Sequence, residues 1–447
     1  MESPPRDGQV SAEATGSTLV SRTTKLPDRT ARAFLVGRDA PRVYWSSPYG
    51  PELAGSGTAA RITADGPDRF DAVRDGAQNL FSNLGYDGPE LARPRLFGGF
   101  AFHDQHRASA PWVGFPGAQF VLPQTQLIRA DGETWLTVSA RDESPEVVED
   151  VLATVRDELV ANSDPEFTDP PGVVGTEPTT SREEWAEQVE AAVRKIEDDD
   201  LQKVVLAQAL AVDLDGETAV PDVLERLGES YPDCFRFFFE PTADAGFFGA
   251  TPERLATLRG QTVEADGLAG SVGRGETPEE DAELEHSLLD SEKIAHEHEL
   301  VVDAIRDQLS PLTGADGLRI ADRRVRKLAN IQHLWTPIEA DLESSDHVLS
   351  IVEALHPTPA VGGLPPEDAL RAIRDTETFD RGWYAAPVGW FDADGDGTFA
   401  VGIRSGVAAD ERVTLFAGNG IVADSDPDEE YEEVQLKYRP ILDELER

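Results

Sequence analysis

Short apolar runs cut by glycine and proline recur along this chain, and they constrain its fold more than any other feature. Between ARAFLVG and TWLTVSAR they alternate with Gly/Pro turns, and LQKVVLAQAL, CFRFFFE, AGFFGATPE, TFAVGIRSG and RVTLFAGNG continue the pattern. Runs of that length bounded by turn formers read as strands. Four longer segments carry a helical period: SPEVVEDVLATVRDELV, TSREEWAEQVEAAVRKIEDDD, DAELEHSLLDSEKIAHEHELVVDAIRDQL and SDPDEEYEEVQLKYRPILDELE. The second opens on a Ser181…Glu184 capping box and sets Trp185, Val189, Ala192, Val193 and Ile196 on one face. Strands and helices follow one another irregularly, which predicts an α+β fold with mainly antiparallel sheets.

One of these strands holds a lysine. The chain spells six lysines against thirty-four arginines, yet Lys203 stands inside LQKVVLAQAL. A buried ammonium is unfavourable unless it is paired or loses its proton, so Lys203 either lies outside a true strand or is a candidate base. On the C-terminal helix, which Ser425 or Asp426 can cap, Glu430 and Glu433 are spaced i, i+3, with Lys437 four residues on. They share one face, as a hard divalent cation would need, and as a solvated salt-bridged face would also show.

HEHEL, residues 296 to 300, fails as a zinc helix, because its histidines stand at i and i+2 where i and i+4 are required. Glu297 alone can still offer oxygen to Mg²⁺. DADGDG, residues 392 to 397, imitates half a calcium loop but has Ile403 at the twelfth position, and reads as a turn between strands. Glu253 follows one aromatic strand, and Arg404 is expected inside another. A buried arginine needs a carboxylate from protein or ligand, since it cannot shed its charge. These groups suit a substrate that carries carboxylates.

Charge sets the surroundings. With 85 acidic and 40 basic residues the formal net charge is −45, while 39% of residues are hydrophobic, so the chain can fold and the acid belongs to its surface. Such a composition reads as a halophile's solvated surface. It disfavours nucleic acid and anionic membranes as partners. The single cysteine, Cys234, excludes a disulfide framework. No run reaches the length of a membrane span and no apolar signal core opens the chain, so a soluble, cytoplasmic protein is expected. Residues 1–28 are expected to be disordered, 29–170 to form the N-terminal part of the fold, and 171–447 the catalytic region.

Taken together, KVVLAQ, FFGATPERL, GLAGSVGRG, KIAHEHELV, IQHLWT, LHPTPAVGGLP, RGWYAAPVGW, GIRS and AGNGIVADSDPDEEYEE, with a weaker GGFAFHD, resemble the motifs of the chorismate-utilising enzymes. The likeness is strongest to the isochorismate synthases and covers roughly residues 180 to 445. It implies two large, mainly antiparallel sheets at the core with helices outside. It also implies conversion of chorismate to isochorismate, with Lys203 as general base toward water at C2 and Glu253 as general acid toward the C4 hydroxyl. Glu297 and Glu433 match the Mg²⁺ ligands, with Glu430 close by. Arg404 matches the residue that grips the enolpyruvyl carboxylate, with Gly418 and Tyr384 at the same end of the substrate. Gly270 matches a backbone contact to the ring carboxylate, and Lys437 a lysine beside the metal.

Within that family, ammonia-using and salicylate-forming members carry threonine where Ala360 stands, and aminodeoxychorismate synthases carry lysine where Ala269 stands. With Lys203, both positions favour water as nucleophile. Salicylate synthase, the large subunit of anthranilate synthase, and a non-catalytic acidic binding protein are the alternatives. The likeness implies no obligatory partner subunit, hence a monomer, and a place in menaquinone biosynthesis is preferred to a siderophore pathway. Gln208 replaces the arginine usual in KVVLAR, and Ala386 the glycine usual in YAGP.

Self-repulsion at −45 should destabilise the compact state at low ionic strength. The melting temperature should therefore rise steeply from millimolar to molar KCl, and a flat profile would exclude the halophile reading.

Overall fold

The computed structural model describes residues 18–446 apart from Tyr49 and Asp199. Among them, thirteen strands hydrogen-bond into one sheet and ten into a second. The pairing of Leu19–Leu26 with Leu84–Asp87 is parallel, whereas the ladders through the middle of both sheets are antiparallel. This is the α+β architecture expected. Both sheets draw strands from either side of residue 170: Arg42–Ser46 pairs with Phe235–Thr242 in the larger, and Leu96–Phe100 with Pro387–Phe391 in the smaller.

The expected disorder of residues 1–28 is corrected in part. Leu19–Leu26 is a strand, laid antiparallel along Glu133–Arg141. Its sequence, LVSRTTKL, is polar, but Val and Thr favour extended backbone once a partner strand is present. The rest of that segment, residues 1–17, lies outside the described residues.

Aromatic rings fill the space at the centre. Phe115 meets Phe239 and Phe247 of the larger sheet, and Trp383, which leads into the smaller one. The helix Arg182–Glu197 begins with the predicted capping box and buries Trp185, Val189, Ala192 and Ile196. The C-terminal helix Pro427–Glu446 packs on it and on the strand Arg412–Ile421. Asp426 rather than Ser425 caps that helix, its Oδ1 accepting from the backbone N–H of Asp428 and Glu429. The single long helix expected over 281–309 is two, Pro278–Asp290 and Glu292–Leu309. Ser291 divides them, because its hydroxyl accepts from Ile294 N and so starts a new helix. DADGDG is the turn between Pro387–Phe391 and Gly397–Val401, tightened by Asp394 N donating to Asp392 Oδ1.

A pair of crossings between the sheets positions the site. The chain leaves the strand Ala245–Thr251 of the larger sheet and enters Arg254–Arg259 of the smaller after only Pro252 and Glu253. A second segment runs the other way, from Gly397–Val401 in the smaller sheet through Gly402, Ile403 and Arg404 into Ser405–Ala409 in the larger. The crossings lie side by side. Val401 N donates to Glu253 O at 3.0 Å, and Ala250 N donates to Arg404 O at 3.1 Å.

A buried ion pair braces this region from behind. Arg381 donates to the carbonyls of Val361 and Val205, each at 2.8 Å, and through Nε to Glu377 Oε2 at 2.9 Å. Glu377 Oε1 in turn accepts from Ala207 N at 2.9 Å. Both side chains are almost fully buried. Arg381→Met would leave that carboxylate without its cation and should cost about 3–5 kcal/mol in denaturant unfolding. Adding Glu377→Gln should recover part of the loss, and a single variant as stable as the parent would contradict this account.

Candidate active site

A cavity of about 330 Å³ opens at the two crossings, and each residue expected to touch substrate or metal lines it: Lys203, Glu253, Gly270, Glu297, Ala360, Tyr384, Arg404, Gly418, Glu430, Glu433 and Lys437. They come from both sheets and two helices.

Lys203 is the first residue of the strand Lys203–Leu214 and is 1% exposed. The strand reading stands, and pairing meets the cost of burial: Nζ donates to Glu297 Oε1 at 2.7 Å, from the helix Glu292–Leu309. The neighbouring strand must leave room for this pair. A Cβ at Gly420 would lie 2.6 Å from Lys203 Cε and 3.1 Å from both Lys203 Nζ and Glu297 Oε1. A side chain at position 420 would therefore crowd the Lys203–Glu297 pair.

Glu253 is held differently. Beside Glu377, which pairs with Arg381, the buried acidic residues among those described are Asp222, Glu240, Glu253, Asp266, Asp281, Asp392 and Glu444. Five of them sit in ion pairs with arginine. Glu253 has no ion-pair partner within 4 Å among the described residues. Keeping its proton is the remaining way to avoid an isolated buried charge. Burial pushes its carboxyl up to about 8, with Lys203 pulling it down and Asp266 pushing it up. Near neutral pH Glu253 is a proton donor.

Arg404 lies in the second crossing and not inside a strand as expected, with a left-handed φ of +50°. A non-glycine residue held there is strained, and such strain collects at functional positions where the surrounding structure enforces it. Burial pulls its guanidinium pKa down, and Glu433 is the first charge opposing that shift. Tyr384 stacks on Phe416 with ring centres 5.4 Å apart, and burial pushes its phenol pKa up, so it stays a donor.

The C-terminal helix contributes Glu430, Glu433 and Lys437. Lys437 Nζ donates to Glu433 Oε1 at 2.8 Å and to Gly418 O at 2.9 Å, and also meets Asn419 Oδ1. Glu430 accepts from Ser425 Oγ at 2.8 Å and Asn419 Nδ2 at 3.0 Å, while burial and then Glu433 raise its pKa. Gly270 sits at a bulge with φ +73°, and a Cβ there would lie 2.2 Å from Ile294 Cγ2. Only glycine lets the helix Glu292–Leu309 approach so closely.

Among the described residues, no three His, Cys, Asp or Glu side chains form a group able to hold a metal unaided. Mg²⁺ needs no such cage, since one or two carboxylates with substrate and water suffice. Glu297 and Glu433 supply hard oxygen donors to the same cavity, and that donor chemistry fits.

Sequence reasoning gave no role to His333 and Ser271, which also line the cavity, 2.9 Å apart between Nδ1 and Oγ. Burial holds the His333 pKa well below its usual value, so the ring is neutral. The register of Thr262–Gly273 on Ile331–Leu342, which places Ser271 opposite His333, was the signal that could have joined them. His298 of HEHEL is buried against Thr336 Oγ1 at 2.8 Å. Of the two departures, Ala386 carries no backbone penalty, because the left-handed residue of that turn is Ala385, at φ +59°. Gln208 is fully buried on the strand face opposite Lys203, and both its amide atoms lack a partner among the described residues. Nothing in the structure explains that substitution.

A family model described as chorismate binding enzyme matches residues 8–446. The chain is 38% identical to the salicylate biosynthesis isochorismate synthase of Pseudomonas aeruginosa, over 91% of this chain and 85% of that one. It is 36% identical to isochorismate synthase MenF of Bacillus subtilis, over 79% of this chain and 74% of the relative. The solved structure of MenF, the menaquinone-specific isochorismate synthase from Escherichia coli, superposes with a TM-score of 0.81 at 24% identity, covering 98% of this chain and 96% of the other. At that identity the structural likeness speaks for the fold.

Gly420→Ala should displace the Lys203 ammonium from Glu297, since the added methyl occupies its path. A crystal structure of the variant reads this directly: the 2.7 Å contact should be broken, and an unchanged contact would show that the strand can yield instead.

Proposed function

The chain belongs to the chorismate-binding enzyme family, and from that premise we propose that it is an isochorismate synthase, using water as nucleophile and Mg²⁺ as cofactor. One observation carries the reading: the Lys203 amine, the proton-bearing Glu253 carboxyl and the Arg404 guanidinium line the same cavity. That set offers a base, an acid and a carboxylate grip to a single small dianion.

In this reading Arg404 and Tyr384 hold the enolpyruvyl carboxylate, and Gly418 lends backbone to the same end. Gly270 lies toward the ring carboxylate. In its neutral amine form, reached once the ammonium has given up a proton, Lys203 takes a proton from the attacking water, whose oxygen bonds to C2 as the ring double bond shifts. The C4–O bond breaks while Glu253 gives its proton to the departing hydroxyl. One water enters and one leaves, so chorismate and isochorismate are isomers. Glu297 and Glu433 would hold Mg²⁺, Lys437 would steady Glu433, and Glu430 would stand behind them. The bound ion would neutralise the ring carboxylate as charge moves across the diene.

Alanine at 269 and at 360 supports water as the nucleophile, because neither position offers the lysine or the threonine of relatives with other products. The names of the relatives above mention both salicylate and menaquinone. We favour menaquinone, the respiratory use expected of a halophile. Among the described residues, no helix is long and apolar enough to cross a membrane.

Chorismate with Mg²⁺ should give isochorismate on chromatography, with no anthranilate when ammonium is added, and chelation of the metal should stop the reaction. Lys203→Gln should lose about 10²–10⁴-fold in turnover with a smaller change in chorismate binding. Melting temperature measured on the same variant separates catalysis from packing. A folded Lys203→Gln protein turning over at the parent rate would sink the assignment of the base, and salicylate as product would sink the assignment of the reaction.

A further inference from the structure

Glu253 must hold its carboxyl in one place, yet it stands in a two-residue crossing between sheets. Its neighbours on both sides are tied down. Pro252 O accepts from Arg326 Nη1 at 3.0 Å, while Arg326 Nη2 donates to Asp233 O at 2.6 Å. The Arg326 guanidinium also lies over the Trp335 ring, 5.6 Å from its centre. On the other side, Arg254 donates Nη2 to Asp266 Oδ1 at 3.1 Å and Nε to Asp266 Oδ2 at 3.4 Å, and it also pairs with Glu264. Both arginines meet at Asp266, whose Oδ2 lies 3.9 Å from Arg326 Nη1 and whose side chain is 2% exposed.

We propose that Asp266 is a positioning residue for Glu253, the anchor of a clamp in which Arg254 and Arg326 fix the chain on both sides of the acid. Glu253 lines the cavity, whereas Arg254, the first residue of the strand Arg254–Arg259, turns its side chain to Asp266 and Glu264. The acid therefore enters the cavity while the clamp closes behind it. Asp266 has a second effect, because its negative charge disfavours ionisation of Glu253. The other groups that face Glu253 are Lys203 and Arg404, which act in the opposite sense, and the Thr358 hydroxyl; Tyr384 is also close. A buried carboxylate between two arginines is thus set against the lysine and arginine of the cavity.

The inference rests on the reading of Glu253 as the acid, and the sign of one measurement tests it. An acid that must be protonated loses activity as pH rises through its pKa, here about 8. In Asp266→Asn the basic limb of the kcat/KM profile with chorismate should move down by about one pH unit. KM on the acid side should stay within about twofold, as expected when an interaction specific to the transition state is lost. Asp266→Glu, which keeps the charge, should leave the limb near its parent position. Arg326→Gln removes the grip on Pro252 but leaves the Asp266 charge, so kcat should fall while the limb stays or moves up. This variant leaves the buried Asp266 in place and keeps the test open should Asp266→Asn fail to fold.

A purely structural Asp266 would lower melting temperature and kcat at every pH with all limbs in place, and that result overturns the proposal. An Arg326→Gln enzyme with parent kcat overturns the clamp. Glu253→Gln is the control: if it stays active, the acid reading fails and the proposal falls with it. If Glu253→Gln is inactive and the Asp266→Asn limb does not move, only the inference about Asp266 fails.

Discussion

Two neighbouring segments pass between the sheets in opposite directions, and the site depends on that constraint. A strand that continues in one sheet has its polar backbone satisfied by its neighbours, but a crossing chain must find other partners. Here each crossing supplies the other, through Val401 N to Glu253 O and Ala250 N to Arg404 O. The price is a left-handed arginine and a buried glutamate with no counter-ion within 4 Å among the described residues. In return, an acid and a cation are fixed side by side at the wall of a cavity. The strands Lys203–Leu214 and Thr262–Gly273, and the two helices, then bring the remaining groups to that fixed point.

Electrostatics outside and inside the molecule follow different rules. Most of the 85 acidic side chains can stay hydrated, and their repulsion is a matter of ionic strength. The few that are buried each need an individual solution, and the structure uses two. Asp222, Glu240, Asp266, Asp281 and Glu444 are paired with arginine. Glu253 keeps its proton instead. Lys203 follows the first rule with the signs reversed, since Glu297 meets its ammonium. A carboxylate held in a pair with arginine is occupied, whereas a protonated carboxyl still has a proton to give.

Much of this was legible in the chain. Short apolar runs between turn formers determine strands, because only extended backbone lets alternate side chains reach a core over so few residues. Capping chemistry is equally local, so the Ser181–Glu184 box was readable without a fold. Where local signals competed, the reading failed. Ser291 was submerged in a helical period that runs across it, and LVSRTTKL was too polar to announce itself as a strand until Glu133–Arg141 paired with it. Motif resemblance named the site residues, and all eleven line one cavity, but it gave no role to His333, Ser271 or Asp266, which join the site through register and burial.

The sequence by itself determined the element types, the acidic surface, the family and the residues proposed to carry the chemistry. These depend on side-chain identity and on spacing within one element, and neither requires knowing what lies across the sheet. Tertiary structure alone decided which charges meet between elements distant in the chain. Lys203 and Glu297 are 94 residues apart and Pro252 and Arg326 are 74 apart, so no local pattern links them. It also decided that Arg404 would be a crossing residue and not a strand residue, and that Glu253 would be a buried acid with no ion-pair partner within 4 Å among the described residues. A pKa is set by burial and by the charges brought near, and both exist only once the chain has folded.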